Sequence, residues 1–204
     1  MKLKGNTIPG QTISEYFLII SLPVHLRDEI LRVREEFHER FTTSYRIKGI
    51  PSLALAHFLQ YENWEEKIVK RLHELASPHA PLYIHLNNFG SFPEQAIHID
   101  IDEQSELHEL INDINVKAKE LLRINRETKP MIMSAPHIGI IRKLTPVLYA
   151  QAWPSYKDLV YQRFFFAEEM ILLKRIYGTK RWETCSRLPF SNKPVASLQQ
   201  GRLF

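Results

Sequence analysis

Ala56-His57-Phe58-Leu59-Gln60 and Pro136-His137-Ile138-Gly139-Ile140 are the two stretches that decide the fold. Each stretch places one histidine inside a short apolar run typical of a strand. Each is followed by residues that start helices, Asn63-Trp64-Glu65-Glu66 after the first and Thr145-Pro146 after the second. The repetition predicts one strand–helix unit used twice, with a histidine from each copy facing a shared cleft.

The composition is that of an ordinary globular protein. The 204 residues are 44% hydrophobic and 25% charged, which fits one domain over residues 1–204 with a substantial core. The net charge of +4 is compatible with a nucleotide or RNA partner. Cys185 is the single cysteine, so no intrachain disulfide is possible and a reducing compartment is favoured. Its setting in an apparent late strand predicts a packed thiol.

The amino-terminal region only faintly imitates a secretion signal. Its apolar stretch is short, Pro23 interrupts it, and Arg27-Asp28-Glu29 stands where a cleavage site would follow. We therefore interpret this stretch as a buried strand. The sequence predicts a cytoplasmic protein that has no contact with membranes, with a monomer as the default state.

Apolar periodicity predicts an α+β fold. Alternation of the kind seen in Ile97-His98-Ile99-Asp100-Ile101 indicates strands with one buried face. The predicted strands are 15–24, 52–60, 82–87, 96–102, 131–141, a region near 162–176, and 180–187. The predicted helices are 27–41, a helix from Asn63 through Leu75, 105–122, and 146–152. We expect two αβ lobes, approximately 45–125 and 15–44 plus 126–190, and a loose tail at 191–204.

Over roughly residues 15–187, the layout resembles the two-histidine (2H) phosphoesterase superfamily, particularly its 2′-5′ RNA ligase and cyclic phosphodiesterase branch. The family pattern is histidine, apolar, Thr or Ser, apolar, occurring twice. Arg142 lies five residues after His137, where many members have a basic residue, and Asn88-Phe89-Gly90-Ser91-Phe92-Pro93 is similar to the family's hairpin. The resemblance implies a bilobal, pseudo-twofold fold, with two antiparallel sheets lining a central cleft and helices outside.

The sequence departs from the family pattern at both hydroxyl positions. Leu59 and Gly139 stand where the resemblance expects Thr or Ser side chains that bind the scissile phosphate. Losing a donor to developing charge can cost on the order of 10²–10³ in rate. Acid–base catalysis by two histidines is typically worth ~10²–10⁴ and would survive the loss.

The resemblance implies a reaction that needs neither metal nor cofactor. His57 and His137 would be the acid–base pair acting on 2′,3′-cyclic phosphates, 2′-5′ linked RNA ends or cyclic nucleotides. One imidazole would deprotonate the attacking water or ribose hydroxyl, and the other would protonate the leaving ribose oxygen. The expected partner is therefore an RNA end or a nucleotide carrying a cyclic phosphate.

Further residues are candidates for binding this substrate. Arg142, with Arg46 or Lys48 from the preceding loop, would balance the phosphate charge. Phe89 and Phe92 are candidates for stacking a base or, alternatively, for the core. The positions of Leu59 and Gly139 would flank the phosphate, and His98 is a candidate for lining the cleft with His57.

Two other interpretations remain open. The chain could be a nucleotide- or RNA-binding module that kept the scaffold and lost efficient catalysis, as Leu59 and Gly139 suggest. It could also be an unrelated α+β protein whose histidines only pack. His98, Asp100 and His85 imitate a metal site, but too few ligands follow at suitable spacing, so no metal is expected. Phe164-Phe165-Phe166 predicts a strand buried on both faces.

Overall fold

Within residues 1–41, 45–102 and 105–193, which the structure describes, the computed structural model has nine strands in two antiparallel sheets. The strands are β1 (Ile13–Ser21), β2 (Ser52–Tyr61), β3 (Leu82–Phe92), β4 (Ala96–Ile101), β5 (Met131–Ile132), β6 (Ile138–Arg142), β7 (Gln162–Ala167), β8 (Glu169–Ile176) and β9 (Glu183–Pro189). The helices are α1 (Val24–Arg40), α2 (Glu65–Ala76), α3 (Ser105–Asp113) and α4 (Pro146–Ala152), with shorter helical turns at Glu62–Trp64, Ile114–Ala118 and Trp153–Ser155.

The two sheets have matching strand orders. Sheet A has the order β5-β2-β1-β8-β9 and sheet B has the order β6-β4-β3-β7. In each sheet, two strands joined through a helix pair with each other, β1-α1-β2 in sheet A and β4-α3-β6 in sheet B. A helix follows each second strand. The predicted α+β fold with two antiparallel sheets and internal pseudo-twofold repetition is confirmed.

Local sequence accounts for the helices that follow the second strand of each unit. In α2, Ile68, Leu72 and Leu75 recur at helical spacing and are buried. At the start of α4, the Thr145 hydroxyl accepts a hydrogen bond from the backbone N–H of Leu148 at 3.2 Å, and Pro146 takes the first helical position. One apolar cluster packs these helices against both sheets.

The predicted strand 131–141 is wrong in its continuity. It is two strands in different sheets, because β5 pairs with β2 in sheet A whereas β6 pairs with β4 in sheet B. The intervening residues 133–137 include Pro136, which has no N–H to contribute to a ladder. His137 therefore lies immediately before a strand and not within one.

The predicted division into lobes also differs from the structure. The region 162–176 contributes β7 to sheet B and β8 to sheet A, and β2 belongs to the sheet of β1, not to that of β3 and β4. Phe164 and Phe166 are 59% and 64% exposed, so the strand is buried on the Phe165 side only. An apolar run does not reveal where the chain crosses between sheets. Of the predicted loose tail, residues 194–204 lie outside the described residues.

A β-bulge fixes how the two repeated units align. In sheet A, Leu18 pairs with Ala56 and Ile19 with Ala54, which leaves Leu55 as the extra residue. In sheet B, Ile97 pairs with Ile141 and His98 with Gly139, which leaves Ile140 as the extra residue. Superposing the bulges aligns Ser52-Leu53-Ala54-Leu55 with His137-Ile138-Gly139-Ile140.

Candidate functional site

His137 has one ring nitrogen committed to the backbone and the other available. Its Nδ1 lies 2.9 Å from the carbonyl oxygen of Ala135. Since a carbonyl only accepts, Nδ1 carries the hydrogen in this bond. Nε2 of the neutral ring is then left as an acceptor on a half-buried side chain. This is an arrangement that presents a protonatable nitrogen to a ligand.

His98 lies directly beside His137, with the two ring centroids 4.7 Å apart. It is 5% exposed, and its Nε2 donates to the Asp100 carboxylate at 2.9 Å. Its Nδ1 is buried and has no hydrogen-bond partner among the described residues. Burial and the neighbouring His137 lower the pKa of His98, although Asp100 opposes the shift. His98 is therefore held as a neutral ring.

Phe92 covers both imidazoles. Its ring centroid lies 4.5 Å from that of His98 and 5.0 Å from that of His137. Phe92 itself is 41% exposed, so one side of the ring faces outward. Gly90 pairs with His98 across the strands, and a Cβ at this position would lie 2.3 Å from a carboxylate oxygen of Asp100. Only glycine lets Asp100 lie across β3 to reach His98.

A buried cation lies at the same end of β6. Arg34 of α1 is 7% exposed and donates to the Gly139 carbonyl through Nε at 3.1 Å and Nη2 at 2.8 Å. Its Nη1 donates to the carbonyl of Gly49 at 3.2 Å. Burial, with Arg142 nearby, lowers the pKa of Arg34 to about 10. The guanidinium remains charged at neutral pH.

Arg142 is close enough to Arg34 to lower its pKa, and Lys143 follows Arg142 in the chain. Arg142 donates from Nε to the Tyr45 hydroxyl at 2.5 Å, and Lys143 lies 4.7 Å from the centroid of the Tyr45 ring. Among the described residues, no carboxylate forms an ion pair with Arg34, Arg142 or Lys143. A buried charge without a counter-ion is costly. These three cations therefore make the region along β6 positive and favour the binding of an anion there.

The space over Gly139 is partly occupied by the chain itself. A Cβ built on Gly139 would lie 3.2 Å from Cδ1 of Ile47, in the segment before β2. A side chain larger than hydrogen at Gly139 therefore requires Ile47 to give way. Gly139 offers no hydroxyl, and neither does Ala54, its equivalent in the bulge alignment.

His57 has a different environment on sheet A. Its Nε2 lies 2.7 Å from Oε1 of Glu15, while Oε2 of Glu15 accepts from Nε of Arg175 at 2.7 Å. Phe17 and Trp182 pack their rings against His57 at centroid distances of 5.4 and 6.4 Å. Burial lowers the pKa of His57, although Glu15 opposes the shift. The side chain is 20% exposed, so most of it is enclosed by this network.

Glu15 is the centre of that network and is 2% exposed. Burial alone would raise the pKa of Glu15, but the hydrogen bonds from Arg175 and His57 outweigh it, and the pKa is lowered. The carboxylate is thus ionised in the folded protein. Its two oxygens are used by structural partners, so the His57 network stabilises sheet A.

The predicted equivalence of His57 and His137 is wrong in register. The bulge alignment places Ser52 opposite His137, and His57 lies five residues farther along β2, roughly 15 Å at strand spacing. Among the described residues, no hydrogen bond or ring contact joins the two histidines. Arg142 is the residue of β6 that corresponds to His57.

Other predicted site residues divide between the core and the His137 region. Phe89 is 8% exposed and packs against Tyr156 and Tyr161, so it is a core residue, not a stacking platform. Leu59 is 1% exposed and does not face a cleft. His98 lies beside His137 and not beside His57. Phe92 also contacts His137, and Gly139 pairs with His98 across the strands.

Sequence reasoning missed Ser52, Ala54 and Arg34. The run Ser52–Tyr61 is apolar throughout its middle, so more than one register of the family pattern fits it. A sequence signal was present, because Pro51-Ser52-Leu53-Ala54-Leu55 has the same order of proline, apolar and small residues as Pro136-His137-Ile138-Gly139-Ile140. The strand pairing identifies this register as the one that aligns the two units. Arg34 lies at helical spacing from Ile30 and Phe37, which are also buried in α1, so a charged residue on this apolar face was the signal that could have found it.

Within the described parts of the chain, no group of three or more His, Cys, Asp or Glu residues is arranged to hold a metal ion. In the same residues, none of the helices has the length and apolar character needed to cross a membrane. Burial raises the pKa of the Cys185 thiol to about 11, and its side chain packs against the core.

A family model described as the 2′-5′ RNA ligase superfamily matches residues 22–177, which begin just after β1 and include β2, β6 and both histidines. The chain belongs to the 2′-5′ RNA ligase superfamily. The match confirms the family that the sequence resembles. No curated protein matches the sequence.

Solved structures share the fold of this superfamily member. E. coli LigT complexed with 3′-AMP has a TM-score of 0.62 at 15% identity, over 88% of this chain and 99% of that chain. The protein TT0787 of Thermus thermophilus has a TM-score of 0.60 at 16% identity, over 87% and 98%. A structure described as a phosphoesterase has a TM-score of 0.56 at 15% identity, over 87% and 99%. At these identities the likeness concerns the fold.

Proposed function

We propose that the protein binds the phosphate of a nucleotide or RNA end at His137 and does not carry out two-histidine catalysis. The observation that carries the proposal is the strand register that aligns Ser52 with His137. A site built on this alignment has one imidazole and one hydroxymethyl group where the family pattern has two imidazoles. Serine is a poor acid or base near neutral pH unless a neighbouring base activates it.

Neither His98 nor His57 supplies the second imidazole that the family pattern requires beside His137. In-line displacement at phosphorus needs a base beside the attacking oxygen and an acid beside the leaving oxygen, on opposite sides of the phosphate. His98 and His137 lie on one wall, 4.7 Å apart and under the same phenylalanine ring. His57 is held by Glu15 in the middle of β2, five residues beyond Ser52. Neither geometry places two imidazoles across a phosphate.

The contacts around His137 favour the binding of a phosphate, although they do not favour two-histidine catalysis. Nε2 of His137 is available, and Arg34, Arg142 and Lys143 have no carboxylate partners among the described residues. A protonated His137 would donate a charge-assisted hydrogen bond to a phosphate oxygen, and the cations along β6 would make the surroundings of that phosphate positive. E. coli LigT, which shares the fold, has been solved in complexes with 3′-AMP, ATP and phosphate. These facts favour a nucleotide phosphate as the ligand.

The test compares binding and turnover in the same samples. Calorimetry measures the affinity for 3′-AMP, and chromatography follows hydrolysis of 2′,3′-cyclic AMP. We expect wild-type protein to bind 3′-AMP and to hydrolyse the cyclic nucleotide no faster than buffer. His137→Ala should weaken binding about ten- to a hundredfold, which is the usual worth of one charge-assisted bond. The matched variant His57→Ala should bind within twofold of wild type.

Two results would overturn the proposal. Hydrolysis that is abolished by both His137→Ala and His57→Ala would establish the two-histidine phosphodiesterase that the family resemblance implies. Failure of wild-type protein to bind 3′-AMP or any other nucleotide monophosphate would remove the binding function.

A further inference from the structure

The outward face of β3 and β7 carries a cluster of exposed rings, Tyr83, His85, Phe164 and Phe166, here called the outer ring cluster. Their ring centroids are close: Tyr83 lies 4.6 Å from His85, 5.2 Å from Phe164 and 4.7 Å from Phe166. Tyr83, Phe164 and Phe166 are 39%, 59% and 64% exposed. The rings thus contact one another and remain open to solvent.

Packing within the protein does not explain this cluster. Tyr83 pairs with Phe166 and His85 with Phe164 across the strands, so all four side chains lie on the face opposite the buried Ile84. β7 is the edge strand of sheet B, a position where exposed phenylalanines invite unwanted association. Contiguous exposed apolar surface of this kind usually marks a binding site.

The cluster is continuous with the His137 region on one face of sheet B. His98, Asp100 and Asp102 alternate along β4 and its end, so they share that face. Oδ2 of Asp102 lies 3.8 Å from Nδ1 of His85, which connects β4 to the outer ring cluster. Three interstrand steps separate β6 from β7, a span of roughly 14 Å. One mononucleotide held at His137 would not cover that span.

The polar groups on this face indicate which part of a ligand lies where. Asp100 and Asp102 stand between the two ends of the face, and both carboxylates are about half exposed. They repel phosphate but accept hydrogen bonds from exocyclic amino groups and ribose 2′-hydroxyls. Arg142 and Lys143, which form no ion pair with a carboxylate among the described residues, lie at the β6 edge of the sheet. A chain with its phosphate at β6 and its bases over β4, β3 and β7 matches this distribution.

A groove beside the outer ring cluster provides room for a base at the sheet edge. It has a volume of about 460 Å³ and lies between β7 and the start of α1, with Phe164, Phe166, Pro23 and His25 among its lining residues. Volumes of this size are common for small-ligand sites. Exposed aromatic rings stack any base, which gives affinity without requiring one sequence.

We infer that the outer ring cluster is a stacking platform for single-stranded RNA whose terminal phosphate is bound at His137. This inference rests on the proposed function and adds a second contact surface, at which bases beyond the terminal nucleotide of an RNA end are bound. The bases leave the phosphate site across β4 and stack on Tyr83, Phe164 and Phe166. Because Asp100 and Asp102 accept from 2′-hydroxyls, RNA binds more tightly than DNA of the same sequence.

The experiment measures fluorescence anisotropy with a labelled single-stranded RNA octamer carrying a 3′-phosphate, its DNA counterpart, and competition by 3′-AMP. Wild-type protein should bind the RNA octamer at least tenfold more tightly than 3′-AMP. The double variant Phe164→Ser/Phe166→Ser should lose about tenfold in octamer affinity and keep its 3′-AMP affinity. Phe164→Tyr keeps a ring and should bind like wild type. Trp64→Ala, which removes an exposed ring elsewhere, is the matched control and should change nothing.

The outcomes separate this inference from the proposed function. Normal 3′-AMP binding with no octamer advantage, or an octamer affinity that survives the double variant, overturns the platform alone. Absence of 3′-AMP binding in wild-type protein overturns the phosphate site on which it rests. If the double variant changes only self-association in sedimentation velocity, the cluster is a contact between copies of the chain and the inference is wrong. Circular dichroism and thermal melting verify that each variant is folded.

Discussion

His57 on sheet A and His137 beside sheet B look alike in the sequence and differ in what surrounds them. The Nε2 of His57 is bonded to Glu15, which also holds Arg175. Among the described residues, His137 bonds only through Nδ1, to the carbonyl oxygen of Ala135, and Arg34 is bound to the carbonyl of Gly139 two residues farther along the chain. The bonding partners, not the flanking apolar residues, distinguish a histidine that stabilises a sheet from one that is free to bind.

The largest expected effect comes from breaking the sheet A network. Glu15→Gln removes the buried charge that balances Arg175 and the amino terminus, and we expect a loss of about 2–3 kcal/mol in the free energy of unfolding. Urea denaturation measures the loss. The control Glu35→Gln removes an exposed partner of the exposed Arg46 and should cost about 0.5 kcal/mol or less. Equal losses in both variants would show that the buried Glu15 network stabilises the protein no more than an exposed ion pair does.

A second prediction compares the two histidines directly. His57→Ala should reduce the free energy of unfolding by about 2 kcal/mol, because it removes a hydrogen bond to a buried carboxylate. His137→Ala should cost about 1 kcal/mol or less, since it removes one bond to a backbone carbonyl on a half-buried side chain. Urea denaturation of both variants under identical conditions provides the comparison. The reverse order of stability would contradict the assigned roles.

The third prediction concerns the crowded space over Gly139. Gly139→Ala places a Cβ 3.2 Å from Ile47 and should cost about 1 kcal/mol. The double variant Gly139→Ala/Ile47→Ala removes the crowding, so its cost should be less than the sum of the two single costs. A double-mutant cycle measured by urea denaturation tests this. Additive costs would mean that Ile47 does not pack over Gly139.

The smallest expected effect is on the pH dependence of stability. The pKa values of His57 and His98 are lowered in the folded protein, so the unfolded chain binds more protons below about pH 6.5. Stability should therefore decrease as the pH falls from 7.5 to 5.5, above the range where Glu15 titrates. His98→Gln should flatten the decrease, which thermal melting at several pH values measures. A slope unchanged by His98→Gln would contradict the buried neutral ring.

The sequence predicts much of this fold and less of the site. Alternation in Ala96–Ile101 and the cap at Thr145 follow local rules, and the structure has both. The pairing of β2 is not local, because the strand offers a histidine at His57 and an apolar alternation at Ser52-Leu53-Ala54-Leu55, and only one of these can align with His137. The choice depends on a bulge that involves β1, and only the folded sheet defines it.

The points where the chain crosses between the sheets could not be predicted from the sequence for a similar reason. Residues 131–141 and 162–176 read as continuous apolar strands, but each contains the point where the chain leaves one sheet for the other. Hydrophobicity records that a segment is buried and not which sheet buries it. Arg34 was missed because its importance lies in the carbonyl of Gly139, which is distant in sequence.

The most direct test of the central claim is an NMR titration of histidine-labelled protein with 3′-AMP, following the imidazole resonances. We expect the His137 signals, and with them those of the adjacent His98, to shift in a saturable way with the affinity found by calorimetry. The His57 signals should stay unchanged throughout. Saturable shifts of His57 and His137 together, at the same affinity, would contradict the account, because they would place both imidazoles at one phosphate.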